Sequence, residues 1–140
     1  MKFQSYGPEE TQDIGFQLGR RLKPGHVVCL YGQLGAGKTV FVKGIARSLD
    51  IDEREVASAS FIIIAEHEEG KIPLYHVDLY RIQEGRTDDF DLYEYFSGDG
   101  ITVVEWAERL GEEIPDSAIV VTFTYKEEQL RDIEIKGIEW

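Results

Sequence analysis

Apolar positions along this chain follow two periods, one continuous or alternating and one helical, and they exchange repeatedly from end to end. From His26 to Tyr31 the run Val27-Val28-Cys29-Leu30 is apolar and rich in β-branched residues, as a strand buried on both faces should be. Past a glycine-rich interval, Val42, Ile45, Ala46 and Leu49 fall at helical spacing. Upstream, Pro8 to Leu22 reads as a helix with Ile14, Leu18 and Leu22 on one stripe, stopped by Pro24-Gly25. Downstream, Asp50 to Glu55 is an acidic connector and Val56 to Ser58 a short strand. Phe61 to Glu66 and Ile72 to Tyr80 are strand-like on either side of a Glu-Gly turn, which predicts a hairpin. Asp88 to Phe96 predicts a short helix before the break Ser97-Gly98-Asp99-Gly100. Ile101 to Val104 is another buried strand and Trp106 to Glu113 a helix. Ile119 to Tyr125 with Arg131 to Lys136 forms a closing hairpin. Strands alternating with helices give an α/β fold, and two hairpins make its central sheet mixed and partly antiparallel, flanked by helices.

Composition narrows this. At 140 residues, with no repeat, low-complexity tract or linker, the chain predicts one domain spanning 1–140. No apolar run approaches the ~18 residues needed to cross a bilayer, and Met1 to Glu10 has no leader pattern, so a soluble, cytoplasmic protein without membrane contact is expected. The lone Cys29 lies inside a predicted strand, where it reads as core packing. A formal net charge of −12 disfavours unaided nucleic-acid binding, which relies on Lys and Arg replacing phosphate counterions. A protein partner suits an acidic surface better, although the acids serve solubility equally well.

The interval between the first buried strand and its following helix carries the chemistry. Gly32-Gln33-Leu34-Gly35-Ala36-Gly37-Lys38-Thr39 matches G-x-x-x-x-G-K-[ST], the phosphate-binding P-loop. Glycines let the backbone turn tightly so that N–H groups from Leu34 to Thr39 point at phosphates. Lys38 adds a point charge, the Thr39 hydroxyl suits Mg²⁺, and a helix opening at Lys38 adds its dipole. A chance match in a chain of this length arises on the order of one time in a few hundred, and the strand before and helix after lower that further.

Hydrolysis of a bound nucleotide also needs acids for the metal and the attacking water. Glu105 ends the apolar run Ile101 to Val104, where a Walker-B-type carboxylate sits. Asp78 lies in Leu74-Tyr75-His76-Val77-Asp78, whose alternation puts His76 and Asp78 on one face and Tyr75, Val77 and Leu79 on the other. Each acid fits a solvated strand end as well as a ligand. Ser58-Ala59-Ser60-Phe61 is a polar turn in which a hydroxyl can reach a metal or terminal phosphate, or simply stabilise the turn. Trp106 suits stacking on a purine or burial in the core. His26 and His67 read as surface or strand-edge residues. With no asparagine, and no Asp followed three places later by Gly, the chain lacks the guanine-reading motifs.

Taken together, these segments resemble the TsaE family, also called YjeE/YdiB, the small bacterial ATPases of tRNA threonylcarbamoyladenosine synthesis. Its P-loop G-D-L-G-A-G-K-T reads here with Gln33 at the acidic position, and its S-P-T-F reads Ser58-Ala59-Ser60-Phe61. H-x-D-x-Y-R is intact from His76 to Arg81, and E-W is Glu105-Trp106. The resemblance implies ATP and Mg²⁺ as cofactors, with Thr39 and Glu105 on the metal and Lys38 and Asp78 catalytic. It implies that Leu34, Gly35, Ala36, Gly37, Lys38, Thr39, Ser60, Trp106 and Thr11 lie at the nucleotide, the last from the N-terminal helix. It further implies partners of the TsaD and TsaB type, the threonylcarbamoyl-transferase subunits, which hold the tRNA while hydrolysis resets the complex. On the residues alone, a small-molecule kinase and a non-hydrolysing ATP-sensing adaptor stay open, the kinase disfavoured by the lack of an arginine-rich lid.

Overall fold

The computed structural model describes residues 1–33, 37–56, 64–82 and 92–140. Within them run β1 (Lys2–Ser5), α1 (Pro8–Gly19), β2 (Val27–Tyr31), α2 (Lys38–Ser48), β3 (Ile64–His67), β4 (Leu74–Asp78), α3 (Leu92–Phe96), β5 (Ile101–Glu105), β6 (Ile119–Glu127) and β7 (Leu130–Lys136). All seven strands join one sheet in the order β1-β7-β6-β2-β5-β4-β3. The centre is parallel, β2 lying between β5 and β6 with β4 beyond β5. Both margins are antiparallel, β3 folding back on β4 and β6-β7-β1 forming a wing. This is the expected mixed α/β sheet, and both predicted hairpins are present.

Strand alternation divides the core in two. Val28, Leu30, Val103, Val121 and Phe123 face α1 and α2, where Ile14, Leu18, Phe41, Val42 and Ile45 complete one cluster. Val27, Cys29, Val77 and Val104 face the other way onto Leu92, Ala107 and Leu110. Being enclosed on both sides, β4 and β5 are buried at every residue, the polar His76, Asp78, Thr102 and Glu105 included. The helices α1 and α2 touch backbone to backbone: a Cβ on Gly15 would stand 2.2 Å from the Phe41 carbonyl oxygen, and one on Gly44 2.0 Å from that of Gln12. Only glycine permits this approach, and it brings the start of α1 beside the start of α2.

Three elements differ from expectation. Lys2–Ser5 is a strand, paired with Arg131–Glu134, in a segment for which no element was predicted. The first helix stops at Gly19, and Arg21 and Leu22 close tight turns on Leu18 and Gly19. Trp106 to Glu113 is not a regular α-helix. Trp106 is left-handed (φ 60) and Gly111 is non-helical (φ 59), so Ala107–Glu113 runs as 3₁₀ turns. His67 lies on the edge strand β3, one of the two places expected for it, and is buried there. Among the described residues no helix is long and apolar enough to cross a membrane.

Candidate functional site

Parallel strands end on the same side, so β2, β5 and β4 deliver their last residues to one rim of the sheet. The register is explicit: Leu30 lies beside Glu105, and Glu105 beside Asp78. The chain leaving β2 becomes the glycine-rich loop, which returns at Gly37 (φ 98) to start α2 at Lys38. Gly37 is left-handed and closely lined, since an added Cβ would meet Thr11 Cγ2 at 3.5 Å and Arg131 Nε at 3.7 Å. Thr11 therefore stands beside Gly37. It is buried on α1, its hydroxyl 2.7 Å from that of Ser5. Leu34, Gly35 and Ala36 lie outside the described residues, as do Ser58, Ala59, Ser60 and Phe61.

Lys38 is almost fully buried, its Nζ donating to the Gly32 carbonyl at 2.7 Å and standing 4.1 Å over the Trp106 ring. Burial lowers its pKa from the usual lysine value, while the charges of Glu105, Glu108 and Asp78 act in the opposite direction. The ammonium thus lies within the electrostatic reach of three acids.

Glu105 is the hub of this rim. Its Oε1 accepts from the Thr39 hydroxyl at 3.4 Å, and its Oε2 lies 2.5 Å from His76 Nε2. Beside it, Asp78 Oδ1 accepts from the Tyr80 N–H at 3.0 Å, and Oδ2 is buried with no hydrogen-bond partner among the described residues. Burial raises the Asp78 pKa above the usual carboxylate value; the Tyr80 N–H opposes the shift and Glu105 adds to it. A buried carboxylate oxygen with no donor is costly, and such atoms cluster where a ligand, metal or water is to be received. The hydroxyl of Thr39 and the Oε1 of Glu105 are hard oxygens of the kind a magnesium-class cation takes, with the remaining positions left to phosphate and water. The donor set fits such an ion, although no group of three or more His, Cys, Asp or Glu forms a self-sufficient cage among the described residues.

Trp106 follows Glu105 and walls the rim. Tyr80 packs on it with ring centroids 5.0 Å apart, and the Arg109 guanidinium lies 5.5 Å from its centre. Trp106 also lines a cavity of 450 Å³, together with Gly32, Gln33, Glu108, Phe123, Thr124 and Tyr125. That space adjoins the loop and has an aromatic wall, the kind of surface on which a planar base stacks.

A model of the TsaE family, described as threonylcarbamoyl adenosine biosynthesis protein TsaE, matches residues 5–133. The chain belongs to the TsaE family. It is 39% identical over 138 residues to the tRNA threonylcarbamoyladenosine biosynthesis protein TsaE of Bacillus subtilis, covering 99% of this chain and 86% of that one. Its identity to the protein of the same name from Treponema pallidum is 37% over 137 residues, 96% and 99% of the two chains. Among solved structures, the B. subtilis YdiB crystal structure superimposes with a TM-score of 0.81 at 38% identity, over 95% of this chain and 82% of that chain. These matches bear out the resemblance read from the motifs.

For this TsaE-family chain the motif residues Lys38, Thr39, Asp78, Glu105 and Trp106 all meet at one rim. Sequence reasoning did not find two neighbours. His76 was placed on the correct face, but its contact with Glu105 depends on how β4 registers against β5. Arg131 reaches Gly37 from the returning strand of the last hairpin, and nothing local to that strand marks it.

Proposed function

We propose that this TsaE-family chain is a single P-loop ATPase domain spanning residues 1–140, which binds ATP with Mg²⁺ and hydrolyses it to support threonylcarbamoyladenosine formation on tRNA. The observation that carries the reading is the convergence of Lys38, Thr39, Glu105 and Asp78 at neighbouring strand ends, with Asp78 Oδ2 buried and unpartnered among the described residues. In this reading the loop N–H groups from Leu34 to Thr39 and the Lys38 ammonium hold the phosphates, Lys38 leaving Gly32 to do so. Thr39 and Glu105 hold the metal, which when bound neutralises charge on the phosphate oxygens. Asp78 orients the attacking water and accepts its proton, a role for which a carboxylate with an elevated pKa and an open oxygen is suited. Thr11 and Trp106 confine the nucleoside end, and Ser60 supplies a hydroxyl toward the metal or terminal phosphate.

The names of the relatives support a place in tRNA modification. The acidic balance of this chain, −12, supports leaving the tRNA to partners. We assign those partners as threonylcarbamoyl-transferase subunits of the TsaD and TsaB type, in the cytoplasm, with the ATPase slow alone and faster in their company. Calorimetry with Mg·ATP tests the core of the reading. The wild-type chain should bind, and Lys38→Ala should weaken binding about 10- to 100-fold, the scale of one charge-assisted contact. Failure of the wild type to bind ATP, or unchanged affinity in the variant, would overturn it.

A further inference from the structure

We propose that His76 is a positioning residue that fixes the rotamer of Glu105 and so presents a single carboxylate oxygen to the metal. The inference rests on the reading of Glu105 as a metal ligand and adds to it the means by which that ligand is held.

Both side chains are 4% exposed, so the contact between them is shielded from water. His76 and Asp78 share one face of β4, and Asp78 lies level with Glu105 on β5; His76 therefore sits one step back along the same face, beneath the Glu105 carboxylate. From there its Nε2 meets Oε2 at 2.5 Å, a direct pairing of imidazole and carboxyl. The other oxygen, Oε1, is thereby turned toward Thr39. The two oxygens are thus divided, one clamped from below and one facing the P-loop.

A glutamate has three side-chain torsions, and apart from His76 this one has only the longer 3.4 Å contact from the Thr39 hydroxyl among the described residues. Without His76 the carboxylate would have to be ordered each time a cation arrived, or would turn toward the Lys38 ammonium, whose charge is close enough to feel it. Partners that orient a ligating side chain in this way alter metal affinity without touching the metal.

The geometry separates two amides that replace the imidazole. In His76→Gln the side-chain nitrogen extends as far as Nε2 and can still donate to Oε2; in His76→Asn it stops at the Nδ1 position and cannot. Both keep a polar group of similar kind at the buried site. The measurement is Mn²⁺ binding to the full chain, followed by electron paramagnetic resonance with a non-hydrolysable ATP analogue present, alongside affinity for the analogue without metal. His76→Asn should weaken Mn²⁺ binding about 10- to 100-fold with metal-free nucleotide affinity unchanged, and His76→Gln should stay near wild type. Wild-type Mn²⁺ affinity in His76→Asn, equal loss in both variants, or a parallel loss of metal-free nucleotide binding would overturn the proposal. Glu105→Ala keeps the two readings apart. If it loses Mn²⁺ while His76→Asn does not, only the role of His76 falls; if it binds Mn²⁺ normally, the ligand reading of Glu105 falls first.

Discussion

The sheet has two halves built on different terms. In the parallel half, β4 and β5 are buried at every position and β2 at all but Tyr31, because helical layers cover both faces. In the antiparallel wing, β6 and β7 bury alternate residues such as Val121, Phe123, Ile133 and Ile135, and show Thr124, Lys126, Glu127 and Lys136 to solvent. A polar side chain means different things in the two places. On the wing it is hydrated at no cost and tells little. Inside the parallel half it must be paired or have a use, because a buried ionisable group without a partner lowers stability. His76, Asp78 and Glu105 all sit in the enclosed half, and all sit at its carboxyl rim. Under the proposed function, the enclosed half is where stability is traded for chemistry.

The sharpest way to break that contrast is to remove the charge that is worst accommodated. Asp78→Asn keeps an oxygen for the Tyr80 N–H and removes the carboxylate. ATP turnover should fall about 10²- to 10⁴-fold, the usual range for a lost general base, with ATP affinity little changed. Stability should move the opposite way. Burial raises the Asp78 pKa, so the ionised form is favoured by the unfolded chain, and the site's contribution to stability is lost as pH rises from the unfolded pKa through the folded one. At neutral pH the neutral amide should therefore melt at a higher temperature than the wild type. A variant that lost turnover and also melted lower would show that Asp78 is structural, and the contrast between the halves would lose its main example.

How far the sequence discloses all this depends on the range of the interactions involved. The enclosed strands were legible because burial on two faces leaves long apolar runs such as Val27 to Leu30 and Ile101 to Val104. Glu105 could be placed at the end of one such run and Asp78 at the end of the alternating segment Leu74 to Asp78, while the residues alone left each open between ligand and solvated strand end. β1 was not, since its four residues bury only Ser5 and its partner Arg131–Glu134 lies at the far end of the chain. The segment after Trp106 has helix-forming composition, and what bends it are left-handed backbones at Trp106 and Gly111. Within the site, the P-loop is a local pattern and announces itself. The His76–Glu105 contact and the approach of Arg131 to Gly37 are products of strand register, which no window of residues contains. Thr11 was reached only through the family resemblance, for the same reason: the closeness of α1 to α2 is set by Gly15 and Gly44 acting across space.

That helical layer supplies the next test, because it encloses the parallel half. Gly44→Ala would put a methyl 2.0 Å from the Gln12 oxygen and 2.8 Å from the Phe16 nitrogen, both backbone atoms that cannot turn aside. Relief requires α1 and α2 to separate, at a cost of about 1–3 kcal/mol for overpacking, measured as a shift in the urea midpoint. Because α1 carries Thr11 to within reach of Gly37, the same separation should also weaken nucleotide binding. A variant as stable as the wild type would mean that the two helices have room to spare, and that Thr11 is not held in place by this contact.

The smallest effect is expected on the wing, and it completes the contrast. Glu134 stands 3.7 Å from Lys2 across the β1–β7 pair and 3.6 Å from Lys136 along β7, with the lysines 83% and 70% exposed. Charges this open to water gain little from one another and lose side-chain entropy in meeting, so Glu134→Ala should change unfolding free energy by no more than about 0.5 kcal/mol. The wing has other supports: Ile133 and Ile135 are fully inside, and Phe3 packs edge-on against Trp140 with ring centroids 5.1 Å apart. Denaturant unfolding at low and high salt separates the possibilities. A loss well above that limit, abolished by salt, would mean that the wing is held by its charges after all, and polar residues there would have to be read as carefully as those at the rim.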